Sequence, residues 1–515
     1  MGNENTKSIW KNKKIIDIIF LIIWLWEFVA NIWYTAKYYL VNGLNSDYAG
    51  DAVLAKHLAD TGKWILSEDW YPTTEVYVIH HQLIMTPMFR IFGDYRRAWI
   101  GTSVVAFLLM SVCVYWFVKK ICEDRERALF AVVLSMNPIV TFQMSFSVWF
   151  HGYLFYYLLG FVVLGLVLNH YGDDKRPKAA DYAIVAVVSL ISGLCGLRMF
   201  MIVFIPLFVA YFLDVFNKEI KGLWNNFAKI GLISFLGALC GFGIYMIFIS
   251  PKYGNGDVVG FGLSLYDSRV VKENLLCIPQ TIIDGLSINF NLTSNIFYAA
   301  QAGVLALLWI IVFANNVMLL IDKGTGRKMH FTVLFSFVCM AVNIAFMVIT
   351  LGNAEYVSRY RYFAISTFLQ LPIFAATFHL EEIKTVRDLY RGVVIGLSFL
   401  MIACFQLGAV KEYGTDPVSW RQFYIDFLVD NGYTFGYATY WNADISVMKS
   451  GGKLQIMSVN NDEDYSMFRW NTQRSFEGRT PEFILLTQAE YAERVENWGY
   501  QGEVIYEDGD VVIYH

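Results

Sequence analysis

The stretch IIDIIFLIIWLWEFVANIWYTA, residues 15–36, decides the fold class. A helix needs about 20 apolar residues to cross a hydrocarbon core, and this one is long enough. Lys7, Lys11, Lys13 and Lys14 precede it in a polar segment, an arrangement a signal peptide would share. Its apolar core is too long for one, it contains Trp24, Trp26 and Trp33, and no small-x-small cleavage pattern follows cleanly. It therefore reads as an uncleaved first transmembrane helix, with Glu27 facing protein rather than lipid. Further apolar segments lie near 98–118, 128–147, 152–170, 180–197, 199–216, 229–249, 296–320, 331–350, 361–379 and 390–410. The total is about eleven spans.

Composition points the same way, with 56% hydrophobic and only 16% charged residues. The expected fold class is an α-helical polytopic membrane protein. Aromatic content of 17% suits belts at the two membrane interfaces. A net charge of -4 says little, because in such chains the distribution of charge matters more than its sum. Nothing suggests nucleic acid. With a cytoplasmic N-terminus, the cytoplasmic connections are 119–127, 171–178, 217–229, 322–328 and 381–391, and each holds several Lys or Arg, as the positive-inside rule requires. The outer face then receives the loop 41–97, the connection near 147–152, Arg198, the loop 250–295, the segment 351–360 and everything after 410. Arg96 and Arg97 are an exception to the rule. Cys113, Cys195, Cys240, Cys339 and Cys404 fall in spans, Cys122 is cytoplasmic and Cys277 lies in an outer loop, so no disulfide framework is expected.

Two domains follow: 1–410, a transmembrane domain carrying the outer loop, and 411–515, a small extracytoplasmic α/β domain. In the latter, Lys453–Val459 and Glu482–Leu486 read as strands, and Val504–Tyr506 with Val511–Tyr514 flank Glu507-Asp508-Gly509-Asp510, a strong hairpin signal. Helices are expected from about Ser419 to Val429 and near Gln488 to Trp498.

The outer loop opens with Asn45-Ser46-Asp47-Tyr48-Ala49-Gly50-Asp51. Asn45 and Ser46 are good N-cap types and Thr61-Gly62 is a plausible stop, so Asp47 and Asp51 share a helical face at i, i+4. A helix N-terminus favours anions, and both side chains are expected to be ionised. Two like charges that close repel unless a substrate hydroxyl, a divalent metal ion or a basic side chain lies between them. A solvated helix start decorated with acids is the plainer reading. Further along, Glu75, His80 and His81 could serve as acid–base groups or metal ligands, since imidazole titrates near neutral pH. Adjacent histidines do not share a helical face, so a structural role at the interface is open for at least one. On the same side lie Arg198, the run 266–269 containing Arg269, and 355–362 containing Tyr356, Arg359, Tyr360 and Arg361. Arginine's planar fork suits phosphate, and tyrosines suit an interface or a sugar ring. Headgroup anchoring, or a pair such as Asp267 with Arg269, is the alternative.

A cytoplasmic N-terminus, one span, a long outer loop whose opening Asp47 begins a helix, many further spans and an outer C-terminal domain together resemble the GT-C class of membrane glycosyltransferases. Within it the pattern is similar to the protein O-mannosyltransferase and aminoarabinose-lipid A transferase branch. That branch carries an Asp followed directly by an acid, whereas here Tyr48 follows Asp47 and the next acid is Asp51. The resemblance implies an enzyme of the cytoplasmic membrane that takes a sugar from a polyprenyl-phosphate donor. It passes the sugar, with inversion, to a glycan or lipid acceptor of the cell envelope on the outer face. Asp47 is then the base, Asp51, Glu75, His80 or His81 orient the acceptor or a divalent metal ion, Arg359, Arg361, Arg198 or Arg269 hold the phosphate, and Tyr356 and Tyr360 line the donor. No sugar-nucleotide motif or phosphate-cradling Gly-rich loop is present. The rival is a transporter or flippase of a lipid-linked or anionic substrate, which would be expected to show paired repeats and charges near the midplane.

Overall fold

The computed structural model describes residues 13–73, 75–138, 153–171, 177–216, 225–254, 267–288, 294–322, 324–350, 364–377, 384–499 and 502–515. They form two compact units: Met1–Trp33, Ala106–Gly243 and Leu263–Gly414 make one, and Tyr34–Val105, Ile244–Gly262 and Thr415–His515 the other.

Among the described residues, six helices are long and apolar enough to cross a membrane: Lys14–Gly43, Tyr95–Cys122, Asn226–Tyr253, Ile296–Ile321, Arg327–Thr350 and Ile395–Tyr413. Leu154–Leu168, Ala179–Gly193 and Phe200–Phe216 are apolar but shorter. Two expected spans are seen only in part, as Arg125–Met136 and as the broken pair Ala364–Phe368 and Gln370–Thr377. The first helix shows what the membrane demands of it. Ile18, Leu21, Ile22, Leu25 and Val29, spaced along one helical face, are left exposed, an apolar stripe that only lipid can cover. The other face buries Ile16, Phe20, Ile23 and Ala30 against Val133 and Ile402, and Trp24 Nε1 donates to Ser111 Oγ at 3.0 Å. Glu27 is fully buried, facing protein as expected. This chain is a polytopic helical membrane protein. All seven cysteines are free thiols.

The second unit holds Asp47 and Asp51, and its elements are numbered in chain order. The outer loop contributes α1 (Ser46–Asp60), β1 (Trp70–Tyr71) and α2 (Gln82–Phe92). The C-terminal segment contributes α3 (Arg421–Asp430), β2 (Phe435–Thr439), α4 (Tyr440–Lys449), β3 (Gln455–Val459) and β4 (Thr472–Gln473). It continues with β5 (Phe483–Thr487), α5 (Gln488–Trp498), β6 (Val504–Glu507) and β7 (Val511–Tyr514). The sheet order is β3-β2-β5-β7-β6, parallel across β3, β2 and β5 and antiparallel at β7 and β6. β7 is buried along its whole length and β5 along all but its last residue, and both are correspondingly continuous apolar runs rather than alternating ones.

β1 pairs with β4, Trp70 opposite Gln473 and Tyr71 opposite Thr472. Ser475 reinforces this ribbon by donating its N–H and its hydroxyl to the Asp69 carboxylate at 2.7 and 2.8 Å. Outer loop and C-terminal segment are thus folded as one body.

Candidate functional site

Local sequence makes α1 begin where it does. The Asn45 side chain accepts from the Tyr48 N–H at 3.3 Å, satisfying one of the orphan donors of the first turn, and Gly62 at φ 73° lies just beyond the last turn. Asp47 is the acid of that first turn. Its Oδ1 accepts the Tyr440 hydroxyl at 2.6 Å, a short charge-assisted bond from a residue 393 positions away. Tyr440 opens α4, and its ring is boxed edge-on by Trp441, Phe468 and Trp470. Burial, then the Asp47 charge, push the phenol well above its ordinary pKa, so it remains a donor.

Asp51, one turn on, is 6% exposed. Burial above all, then the charges of Asp47 and Asp444, hold its carboxyl well above the usual carboxylate range. This corrects the expectation that both acids ionise readily: the helix-terminal field fades beyond the first turn, and desolvation wins. Asp444 on α4 is 5% exposed, and burial raises its carboxyl in the same way. What lets α4 come so close is Gly50. A Cβ there would lie 1.8 Å from Asn471 Nδ2 and 2.7 Å from Asp444 Oδ2. Asn471, at φ 53°, is itself held by Trp70, whose Nε1 donates to its Oδ1 at 3.3 Å.

The structure therefore gathers Asp47, Asp51, Tyr440 and Asp444. Tyr440 and Asp444 escaped the sequence reading; an acid one turn after an aromatic, followed by the mostly apolar run Ile445–Met448, was the signal available. Glu75 is half-buried in the same unit. His80 stacks on Tyr77 at 4.0 Å between centroids, with Nδ1 2.7 Å from Gln82 Oε1. His81 is 1% exposed, edge-on to Trp99, and neither ring nitrogen has a hydrogen-bond partner among the described residues. Among the described residues no group of three or more His, Cys, Asp or Glu could hold a metal ion.

Arg359, Arg361, Tyr356 and Tyr360 lie outside the described residues. Arg198, in the first unit, donates from Nη1 to the Tyr153 hydroxyl at 2.7 Å and lies over the Tyr153 and Tyr156 rings. Arg269, exposed, pairs with Glu273 at 3.3 Å, while Asp267 caps the helix by accepting the Arg269 and Val270 N–H groups.

A pH dependence follows from His81. Burial holds its pKa down at about 4, against an ordinary value of 6.5, so the fold binds it neutral. Stability is complete above the ordinary value and is lost as pH falls toward the folded one, by about 3 kcal/mol at most. Asp51 and Asp444 act oppositely, stabilising at low pH and losing that contribution as pH rises through their elevated values. His81→Phe is expected to lose less thermal stability than the parent between pH 7 and pH 4.5. Equal losses would show that His81 is not buried neutral.

No family model matches the chain, and no curated protein sequence matches it. Solved structures do. ArnT from Cupriavidus metallidurans, bound to undecaprenyl phosphate, superimposes with TM-score 0.57 at 12% identity, covering 99% of this chain and 98% of that one. The Archaeoglobus fulgidus oligosaccharyltransferase, in complex with zinc and sulfate, gives 0.53 at 13% identity, covering 96% and 72%. AglB from the same organism, with an inhibitory peptide and a dolichol-phosphate, gives 0.52 at 10%, covering 95% and 71%. The chain has their fold. The resemblance expected from topology is met at that level, and over nearly the whole chain.

Proposed function

We propose that this protein is an inverting glycosyltransferase using a polyprenyl-phosphate-linked sugar at the outer face of the cytoplasmic membrane, its N-terminus cytoplasmic and residues 411–515 outside. The observation that carries the reading is Asp47 itself. It stands in the first turn of α1 directly after the first membrane helix, its carboxylate held by a phenol, in a fold shared with ArnT and the oligosaccharyltransferase. Asp47 removes the proton of an acceptor hydroxyl as that oxygen bonds to the anomeric carbon. The bond from that carbon to the phosphate oxygen breaks on the opposite face, and the lipid phosphate leaves with the electron pair. Cations stabilise the departing phosphate, with Arg198, Arg269, Arg359 and Arg361 as the candidates. The acceptor is a glycan or lipid of the cell envelope.

Purified protein in liposomes, given labelled polyprenyl-phosphate sugars and an acceptor panel, tests this. Label appearing on an acceptor supports it; label that only crosses the bilayer, still attached to its lipid, identifies a flippase. Tyr440→Phe, which removes the donor to Asp47 but keeps the ring in its aromatic box, is expected to lower kcat about ten-fold, since hydrogen bonds to charged groups contribute about 1.5–3 kcal/mol. An unchanged kcat would mean that Tyr440 does not orient the base.

A further inference from the structure

The second unit holds an open-mouthed cavity of about 230 Å3 that the proposed transfer chemistry does not use. The face of α1 that lines it runs from Val53 to Asp60, a turn or more along the helix from Asp47. Its other walls are the β1–β4 ribbon, the start of the Tyr95–Cys122 helix, and α4 with the turn after it. Clefts that take drug-sized ligands measure roughly 300–1,000 Å3, so this one admits little more than a single ring.

The lining has two kinds of surface. Trp70 and Tyr95, both nearly buried, give flat apolar faces. His57, Gln455, Gln473 and Asp444 give hydrogen-bonding groups around them. Trp70 and Gln473 are direct cross-strand partners, which sets an aromatic and a planar amide side by side. Asp444 is the feature that asks for a ligand: the residue is 5% exposed, lines the cleft and, among the described residues, burial alone with no hydrogen bond acts on its carboxyl. A polar group desolvated without a partner is costly to the fold and calls for a donor from outside. An anion would meet no spare ammonium, because the Lys56 Nζ is already held by the Asp60 carboxylate. A sugar ring answers both surfaces, with C–H faces for the aromatics and a rim of hydroxyls for the carboxyl and amides.

We propose that this cavity is a saccharide subsite that takes one neutral sugar ring of a glycan, with Asp444 receiving a ring hydroxyl. The proposal goes beyond the transferase reading and stands without it. Full-length protein in lipid nanodiscs would be studied by saturation-transfer NMR with the methyl glycosides of glucose, galactose, mannose and N-acetylglucosamine. Ring protons of at least one are expected to receive saturation, with a dissociation constant in the millimolar range, weakened about ten-fold by Asp444→Ala and by Gln473→Ala. Gln473 is half-exposed, so its variant keeps the test valid should Asp444→Ala fold poorly. Asp47→Asn keeps the binding signal whether or not transfer is lost, which separates this assignment from the catalytic one. Absence of saturation for all four glycosides, or undiminished binding in both cavity variants, would leave the space to water and overturn the proposal.

Discussion

Asp47→Asn is expected to cut sugar transfer by about a hundred- to ten-thousand-fold, the usual contribution of a general base. The substitution is conservative in shape. Asn keeps an Oδ1 able to accept the Tyr440 hydroxyl, which in the parent donates to Asp47 at 2.6 Å, so α1 and α4 should remain together. The thermal melt should therefore match that of the parent while single-turnover transfer collapses. Near-parental turnover by a well-folded Asn variant would remove Asp47 from the role of base. Asp51→Asn should act more mildly if Asp51 only positions groups around Asp47; an equal loss would show that the two acids work as a unit.

The second large effect is structural, and local propensity gives it the wrong sign. Alanine is a better helix former than glycine by about 1 kcal/mol, so Gly50→Ala in the middle of α1 would ordinarily stabilise. Here the added methyl would meet Asn471 Nδ2 at 1.8 Å and Asp444 Oδ2 at 2.7 Å. Asn471 is held by its bond from Trp70, so relief requires α1 to draw back from Asn471 as well as from Asp444 on α4. The expected outcome is a loss of about 1–3 kcal/mol, the range for overpacking, read as a lower melting temperature. Transfer should fall with it. A variant more stable than the parent would mean that Asn471 swings aside freely.

The elements legible in the chain were those governed by short-range rules. The Asn45 cap, the stop at Thr61-Gly62, the strands at Gln455–Val459 and Phe483–Thr487, and the final hairpin each carry their signal within a few residues. α5 runs from Gln488 to Trp498 as expected, its start marked by the Thr487 and Glu490 capping box. β2 escaped because Gly436 breaks its apolar run; the reason for that glycine lies in a neighbouring strand, where the Phe483 ring would be 2.4 Å from any Cβ. The Asp47 site was half legible for the same reason. One acid follows a membrane helix and can be found by eye, whereas the phenol and carboxyl from α4 are brought to it by tertiary contacts across nearly 400 residues. The upward shift of the Asp51 carboxyl was not legible because its largest cause is burial, ahead of the Asp47 charge that the spacing does reveal.

The β1–β4 ribbon joins distant stretches of chain, and the Trp70 to Asn471 bond beside it spans 401 residues. During synthesis at about 5–20 residues per second, β1 waits roughly twenty to eighty seconds for the strand that completes it. Throughout that interval α1 lacks α4 and the charge-sharing partners it brings, and the edge of β1 is open to other chains. The acid cluster is assembled last, when the final hundred residues arrive. A chain that ends before them has the first loop complete but lacks Tyr440 and Asp444, the partners that meet Asp47 and Gly50.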